Sequence, residues 1–309
     1  MSGRYVVSTI AIAFALAGSP LAQEGSSQPN TTFRSAISVV TIQASVRDHR
    51  GRMVGGLTAK DFEVRDNGRL QPILSLRSDR QSPLSVAILI DMSGSMRLSS
   101  KTTMASQAYE SVLSQLRQGQ DEVAVFTFDS SLHEHRDFTR DVASLKGLVP
   151  GFDPFGTTSL YDAVAATARR LAARSATHKA VIVLTDGADN SSSMTARDVS
   201  GLASSIDVPV FVVATVPQVD QRLVVATPDR TRSPEDADLR DLAEWTGGQF
   251  VFASTTVETA VVASSMINDL RQQYVLAIEA ASGREWRRLD LCVRRPSTIV
   301  KARSGYFAG

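Results

Sequence analysis

The stretch VAILIDMSGSMRLSS, Val86 to Ser100, governs how the rest of the chain is read. An apolar run ends in Asp91, and Ser93 and Ser95 follow with Gly94 between them. A run apolar at nearly every position marks a strand buried on both faces, as in parallel sheets. A turn after such a strand can aim residues i, i+2 and i+4 at one point, and glycine permits a tight backbone there. One carboxylate and two hydroxyls at one point leave three readings open: a nucleophile, a phosphate cradle or a metal site.

The surroundings of this stretch set its fold. LSVAILI, EVAVFTF, KAVIVLT, VPVFVVAT and QFVFA are all short, nearly continuous apolar runs. Helical spacing of apolar residues fills most of the gaps, at about Ser99–Gln118, Ser159–Arg174, Thr195–Ser205 and Asp236–Trp245. A last helix, about Val257–Gln272, places Ala260, Ala263, Ile267 and Leu270 along one side. Strands alternating with helices predict an α/β fold with a doubly wound, mostly parallel sheet. Asp91 then stands at the carboxyl end of the first of these strands, where open α/β sheets place their ligands. The proline- and charge-rich stretch VPQVDQRLVVATPDRTRSPEDAD reads as a surface loop beside that edge.

Farther out the pattern changes to period two. Val40, Ile42, Ala44 and Val46 alternate with polar residues, which predicts a half-buried strand. RDHRGR turns the chain, DFEV gives another strand, and Asp66-Asn67-Gly68 is a tight-hairpin signal. Past the last helix, YVLAIEA, WRRLDLCVRR and STIVKAR return to strand grammar. The expected architecture joins a smaller all-β domain, built from N- and C-terminal strands, to the α/β domain. The expected segments are 36–82 (N-terminal β), 84–272 (α/β) and 273–309 (C-terminal β). In the tail, Cys292 lies on the strand face opposite Leu289, Leu291 and Val293, and Arg284, Arg287, Arg288, Arg294 and Arg295 read as a solvated face.

The chain has 309 residues, 43% of them apolar, enough for about two domains with real cores. A formal charge of +1 without blocks of like charge gives no nucleic-acid surface, so nucleic acid is not an expected partner. At the N-terminus Arg4 precedes an apolar run of about a dozen residues and then small residues, the pattern of a secretory signal peptide. The signal peptide is placed at 1–22 and a polar linker at 23–35, so an exported protein, periplasmic or secreted, is expected. An uncleaved N-terminal anchor is the competing reading and the one expected route to a membrane. Cys292 is the sole cysteine, so no intramolecular disulfide holds the fold.

An all-oxygen set of Asp91, Ser93 and Ser95 suits a hard cation such as Mg²⁺ or Mn²⁺. Three oxygens do not complete an octahedron, so other loops at the same edge must contribute. FGTTSLYDAV places Thr157, Thr158 and Ser159 just before a helix, and KAVIVLTDGADN ends a buried strand in Thr185-Asp186-Gly187. Taken together, D-x-S-x-S, G-x-T-x-x-x-D and T-D-G in this order resemble a von Willebrand factor type A (VWFA) domain over about Leu84–Gln272. The flanks, LTAKDFEVRDNGRLQPI and KARSGYFAG, resemble a bacterial subgroup of secreted proteins with such a domain.

The resemblance implies a metal-ion-dependent adhesion site made by Asp91, Ser93, Ser95, Thr158 and Asp186. It implies neutral hydroxyl ligation by Ser93, Ser95 and Thr158, with Asp91 and Asp186 acting directly or through water. A partner protein's Asp or Glu would complete the coordination. The implied function is non-enzymatic, metal-dependent binding or adhesion, since no paired base or activated nucleophile accompanies the motifs. Thr157 departs from the family's second glycine, and the resemblance implies that its added side chain would narrow access to the ion.

Several rival readings remain in view. The serines and Thr157–Ser159 also suit helix N-caps, Asp162 a first-turn helix acid and Asp186 a turn residue. A metal-stabilised structural or assembly protein of the envelope is the alternative function. A haloacid-dehalogenase-like phosphotransferase is the remote one: Asp186-Gly187-Ala188-Asp189 mimics a motif of that family. That chemistry needs an acid where Ser93 stands. His133 and His135 read as a solvated pair on a hairpin strand rather than a zinc site.

Overall fold

The first strand, expected to be half-buried, is buried on both faces through its middle: Gln43 and Ser45, between the apolar positions, are only 7% and 5% exposed. In β1 (Val39–Asp48), Ile42, Ala44 and Val46 are fully buried. β2 (Phe62–Asp66) and β3 (Arg69–Gln71) form a hairpin closed by Asn67 and Gly68 at φ 47° and 80°. Two consecutive positive φ values are what a two-residue type I′ turn requires, and Asn-Gly supplies them at least strain. β4 (Ile73–Arg77) follows. The computed structural model describes residues 38–78, 80–97, 99–149, 153–187, 189–205, 207–215, 238–283 and 285–308. The expected signal peptide and linker, and residues 216–237 of the expected surface loop, lie outside the described residues.

The α/β sheet is centred on β5 (Leu84–Asp91), buried at every position. β6 (Glu122–Phe128) and β8 (His178–Thr185) flank it in parallel, and β9 (Val210–Ala214) and β10 (Gln249–Phe252) continue in parallel beyond β8. β7 (Leu132–Thr139), which carries His133 and His135, closes the other edge antiparallel to β6. The strand order is β10-β9-β8-β5-β6-β7.

Both faces of β5 are covered. Val86, Ile88 and Ile90 pack with Tyr109, Val112 and Leu113 of α1 (Ser99–Ser114) and with Met266, Ile267 and Leu270 of α5 (Thr256–Arg271). Ala87 and Leu89 pack on the other face with α2 (Leu160–Ala172), α3 (Ala196–Ser205) and α4 (Leu239–Trp245). Each large aliphatic side chain buried this way contributes about 1.5–3 kcal/mol. The helix after β5 lies on one face and the helix after β8 on the other, so the crevice between these two strand ends is a topological switch point, the place where open α/β sheets as a class bind ligands.

Two helical details differ from expectation. α1 stops at Ser114 rather than near Gln118, because Arg117 N–H donates to the Asp121 carboxylate and Gly119 takes φ 75°. On α5, Thr259 rather than Ala260 is buried with Ala263, and Ala260 faces outward.

β11 (Tyr274–Glu279), β12 (Trp286–Val293), β13 (Thr298–Ala302) and β14 (Gly305–Phe307) complete two antiparallel sheets, ordered β13-β1-β11-β4 and β14-β12-β2-β3. Each mixes strands from the two ends of the chain. They share one apolar core, in which Ile42, Val46, Val64, Leu276 and Leu289 meet, and the Tyr274 ring meets Phe62 edge-on at 5.3 Å. Cys292 is exposed, as its register requires. Arg287 corrects the expectation of a wholly solvated arginine face. Its side chain is 14% exposed and pairs at 2.8 Å with Asp66, whose other oxygen accepts from Tyr306 at 2.9 Å. The β sheets are tied to the α/β sheet by Arg47, which pairs with buried Asp269 of α5, and by Thr41, which donates to Asp207 at 2.7 Å.

Candidate metal centre

Three loops meet at the carboxyl edge of β5, β6 and β8. Asp91 ends β5 fully buried, and both of its oxygens are occupied: Oδ1 accepts from Ser93 N–H at 2.9 Å and Oδ2 from Thr185 Oγ1 at 2.6 Å. The aspartate thereby folds the D-x-S-x-S turn back on itself and fastens it to the end of β8. Beyond it, Ser93 Oγ lies 3.0 Å from Ser95 Oγ, and Ser95 Oγ donates to Asp186 Oδ1 at 3.1 Å. Ser93 is buried while Ser95 is exposed, so the set opens to solvent at Ser95.

The second loop is backbone-stitched to the first. Gly94 N–H donates to Gly156 C=O at 3.0 Å and Phe155 N–H to Met92 C=O at 2.7 Å. A Cβ on Gly94 would sit 3.3 Å from that Gly156 oxygen, and Gly156 itself takes φ 90°, so both positions suit glycine. The third loop clamps Thr158 from both sides. Thr158 N–H donates to Asn190 Oδ1 at 2.8 Å, and its C=O accepts from Asn190 N–H at 3.0 Å and Ser191 N–H at 3.2 Å.

The start of α2 is capped from a distance. Ser159 makes no side-chain cap bond; Asp189 accepts instead from Leu160 N–H at 2.8 Å and Ser192 Oγ at 2.6 Å. Asp162 sits in the first turn of α2 and accepts from Ser193 and Met194 N–H, both at 2.9 Å, so it is a loop fastener. Thr157 Oγ1 accepts from Ser191 Oγ at 3.0 Å, an exposed contact with the third loop.

Asp91, Ser93, Ser95 and Asp186 therefore form one hydrogen-bonded set, and Thr158 is seated on a loop bonded to the other two. Sequence reasoning missed two contributors, Asn190 and Lys101, and named Thr185 and Asp189 only as parts of motifs, without their roles of holding Asp91 and capping α2. The Lys101 ammonium lies 2.7 Å from Asp186 Oδ2, with side chains 16% and 5% exposed. A signal for it existed, since a lysine in the first turn of a helix opposes the dipole and calls for a nearby anion.

Two tests bear on whether the set fits a hard divalent ion. Neighbouring ligands of an octahedral Mg²⁺, at about 2.1 Å from the ion, lie about 3 Å apart. The Ser93–Ser95 and Ser95–Asp186 spacings of 3.0 and 3.1 Å agree with that edge. The electrostatics agree as well: burial, with the Asp186 charge adding to it, pushes the Asp91 carboxyl up to about 6 against its hydrogen bonds. A cation at the site opposes that push. Among the described residues no group of three His, Cys, Asp or Glu side chains is placed to hold a metal ion, so an ion at this edge would need the hydroxyls as ligands.

Residues 86–188 match the family model of the von Willebrand factor type A domain. Among solved structures the chain is similar to an aerotolerance-related membrane protein from Bacteroides fragilis, at 19% identity over 60% of this chain and 98% of that one, TM-score 0.46. It is similar to a von Willebrand factor type A protein from Catenulispora acidiphila, at 15% identity over 89% and 74%, TM-score 0.48. A third likeness is proximal thread matrix protein 1 of the mussel byssus, in a form with a zinc-occupied MIDAS motif, at 15% identity over 66% and 49%, TM-score 0.48. No curated protein matches the chain significantly.

Proposed function

We propose that this domain is a non-enzymatic, divalent-metal-dependent protein-binding module. Ser93, Ser95 and Thr158 hold Mg²⁺ or Mn²⁺ through neutral hydroxyls, and Asp186 contributes directly or through water. Asp91, whose oxygens are both engaged inside the protein, acts by holding Ser93 and by its charge. The ion supplies an electrophilic coordination position, and a Glu or Asp of a partner protein fills it. The observation that carries this reading is the run of oxygens at ligand spacing, Ser93–Ser95–Asp186, opening to solvent at Ser95.

A purely stabilising ion fits less well. The three loops are already joined by direct backbone bonds, Gly94 to Gly156 and Thr158 to Asn190 and Ser191, so an ion is not needed to hold them together. The phosphotransferase alternative lacks its proton donor, because Ser93 occupies that position and is hydrogen-bonded to Ser95. The leader-like N-terminal pattern supports export, to a periplasm or to the outside. No described helix is long and apolar enough to cross a membrane.

The test is a pull-down from the native envelope. Capture that requires Mg²⁺, reverses with EDTA and disappears in Asp91→Ala supports the proposal. Capture indifferent to both EDTA and the substitution overturns it.

A further inference from the structure

The Lys101–Asp186 pair has a consequence for the affinity of the site. We infer that Lys101 is a tethered cation that competes with the divalent ion for Asp186, an inference that rests on the metal-binding reading above. Its ammonium lies 2.7 Å from Asp186 Oδ2 while Ser95 holds Oδ1, so the carboxylate is shared between the ion site and an internal charge. Both side chains are mostly withdrawn from water, where a charge pair is poorly screened. Lys101 occupies the third position of α1, at the positive end of that helix, a placement that is unfavourable without a facing carboxylate.

The charges at the site sum differently with and without this lysine. Asp91 and Asp186 alone present two negative charges, which a divalent ion cancels. With Lys101 included, the loaded site carries one net positive charge. The lysine therefore weakens the hold on the metal and strengthens the pull on an anionic partner group. A carboxylate-seeking adhesion site gains from this arrangement, since its ion stays electrophilic after binding.

The experiment is calorimetric titration of the full chain with Mn²⁺, comparing wild type, Lys101→Met and Lys101→Arg, with thermal unfolding of each in EDTA and in saturating Mn²⁺. Lys101→Met is expected to bind Mn²⁺ roughly tenfold more tightly, as removal of a nearby like charge implies. It should also melt lower than wild type in EDTA and recover in Mn²⁺. Lys101→Arg, which keeps the charge, should bind close to wild type. A merely structural lysine would lower melting in both conditions without tightening the metal, and that result overturns the inference. If Lys101→Met does not fold, Lys101→Gln, which removes the charge but keeps a polar tip, is read by the same criteria. Wild type failing to bind while the uncharged variant binds would support the competition and overturn the proposed function. Failure of both to bind would overturn both.

Discussion

Asn190→Ala tests how the site is held in place before any ion arrives. The Asn190 amide oxygen accepts from Thr158 N–H at 2.8 Å, and Thr158 is 3% exposed, so water does not readily replace the lost acceptor. Leaving a buried N–H without its partner costs about 1–3 kcal/mol. The companion bond from Asn190 N–H to Thr158 C=O, at 3.0 Å, survives the substitution, which places the expected loss toward the lower half of that range. With a urea m-value of about 3 kcal/mol/M, a loss of roughly 1–2 kcal/mol moves the unfolding midpoint down by about 0.3–0.7 M. Because Thr158 is a proposed ligand, Mn²⁺ affinity should fall as well, by roughly 10–100-fold, the usual effect of losing a group that orients a ligand. Urea unfolding in EDTA and Mn²⁺ titration of the same preparation measure the two effects separately. Asn190→Asp, which keeps an acceptor oxygen, should restore most of the stability. A variant with wild-type midpoint and wild-type Mn²⁺ affinity would refute the clamp.

Other perturbations probe the rest of the fold. Ile88→Ala, at the fully buried centre of β5, should cost about 2–5 kcal/mol in equilibrium unfolding. Asp66→Ala leaves Arg287 without its 2.8 Å partner and Tyr306 without its acceptor; a loss of about 3–5 kcal/mol is expected, largely absent when Arg287 is also replaced by Met. Arg174, bonding Glu122 through two nitrogens at 2.8 and 2.6 Å, holds that carboxyl below the usual glutamate range although burial pushes it the other way. Since the folded value is the lower one, its contribution is present above about pH 4.5 and is lost as pH falls below that, so Glu122→Gln should flatten part of the acid limb of a melting-temperature profile.

The parts of the fold written in local pattern were legible. Continuous apolar runs gave β5, β6, β8 and β9, because a strand covered by helices on both faces has no polar side to show, and they gave the partly buried edge strand β10 as well. Asn67-Gly68 gave the hairpin because few other residue pairs tolerate its φ values. Two of the three loops that meet at the sheet edge were legible because hydroxyls and acids follow the apolar strands β5 and β8, and the remaining one because hydroxyls stand just before α2.

What stayed hidden was decided by contacts between distant residues. Arg287 looks like its exposed neighbours until Asp66, 221 residues away, comes beside it. Asp189 reads only as the end of a phosphotransferase-like D-G-x-x-D run until it caps a helix that begins 29 positions earlier in the chain. Three-residue β14 has too little sequence to show a period and exists because β12 offers it an edge.

The central claim, that hydroxyls from two loops and acids from two strand ends hold one hard cation, is tested most directly by Mn²⁺ binding followed by electron paramagnetic resonance. One tightly bound Mn²⁺ per chain is expected, displaced by excess Mg²⁺, and lost in a Ser93→Ala, Ser95→Ala double variant that melts in EDTA within a few degrees of wild type. Stoichiometric Mn²⁺ binding that survives removal of both hydroxyls, or no binding by the wild type, would contradict it.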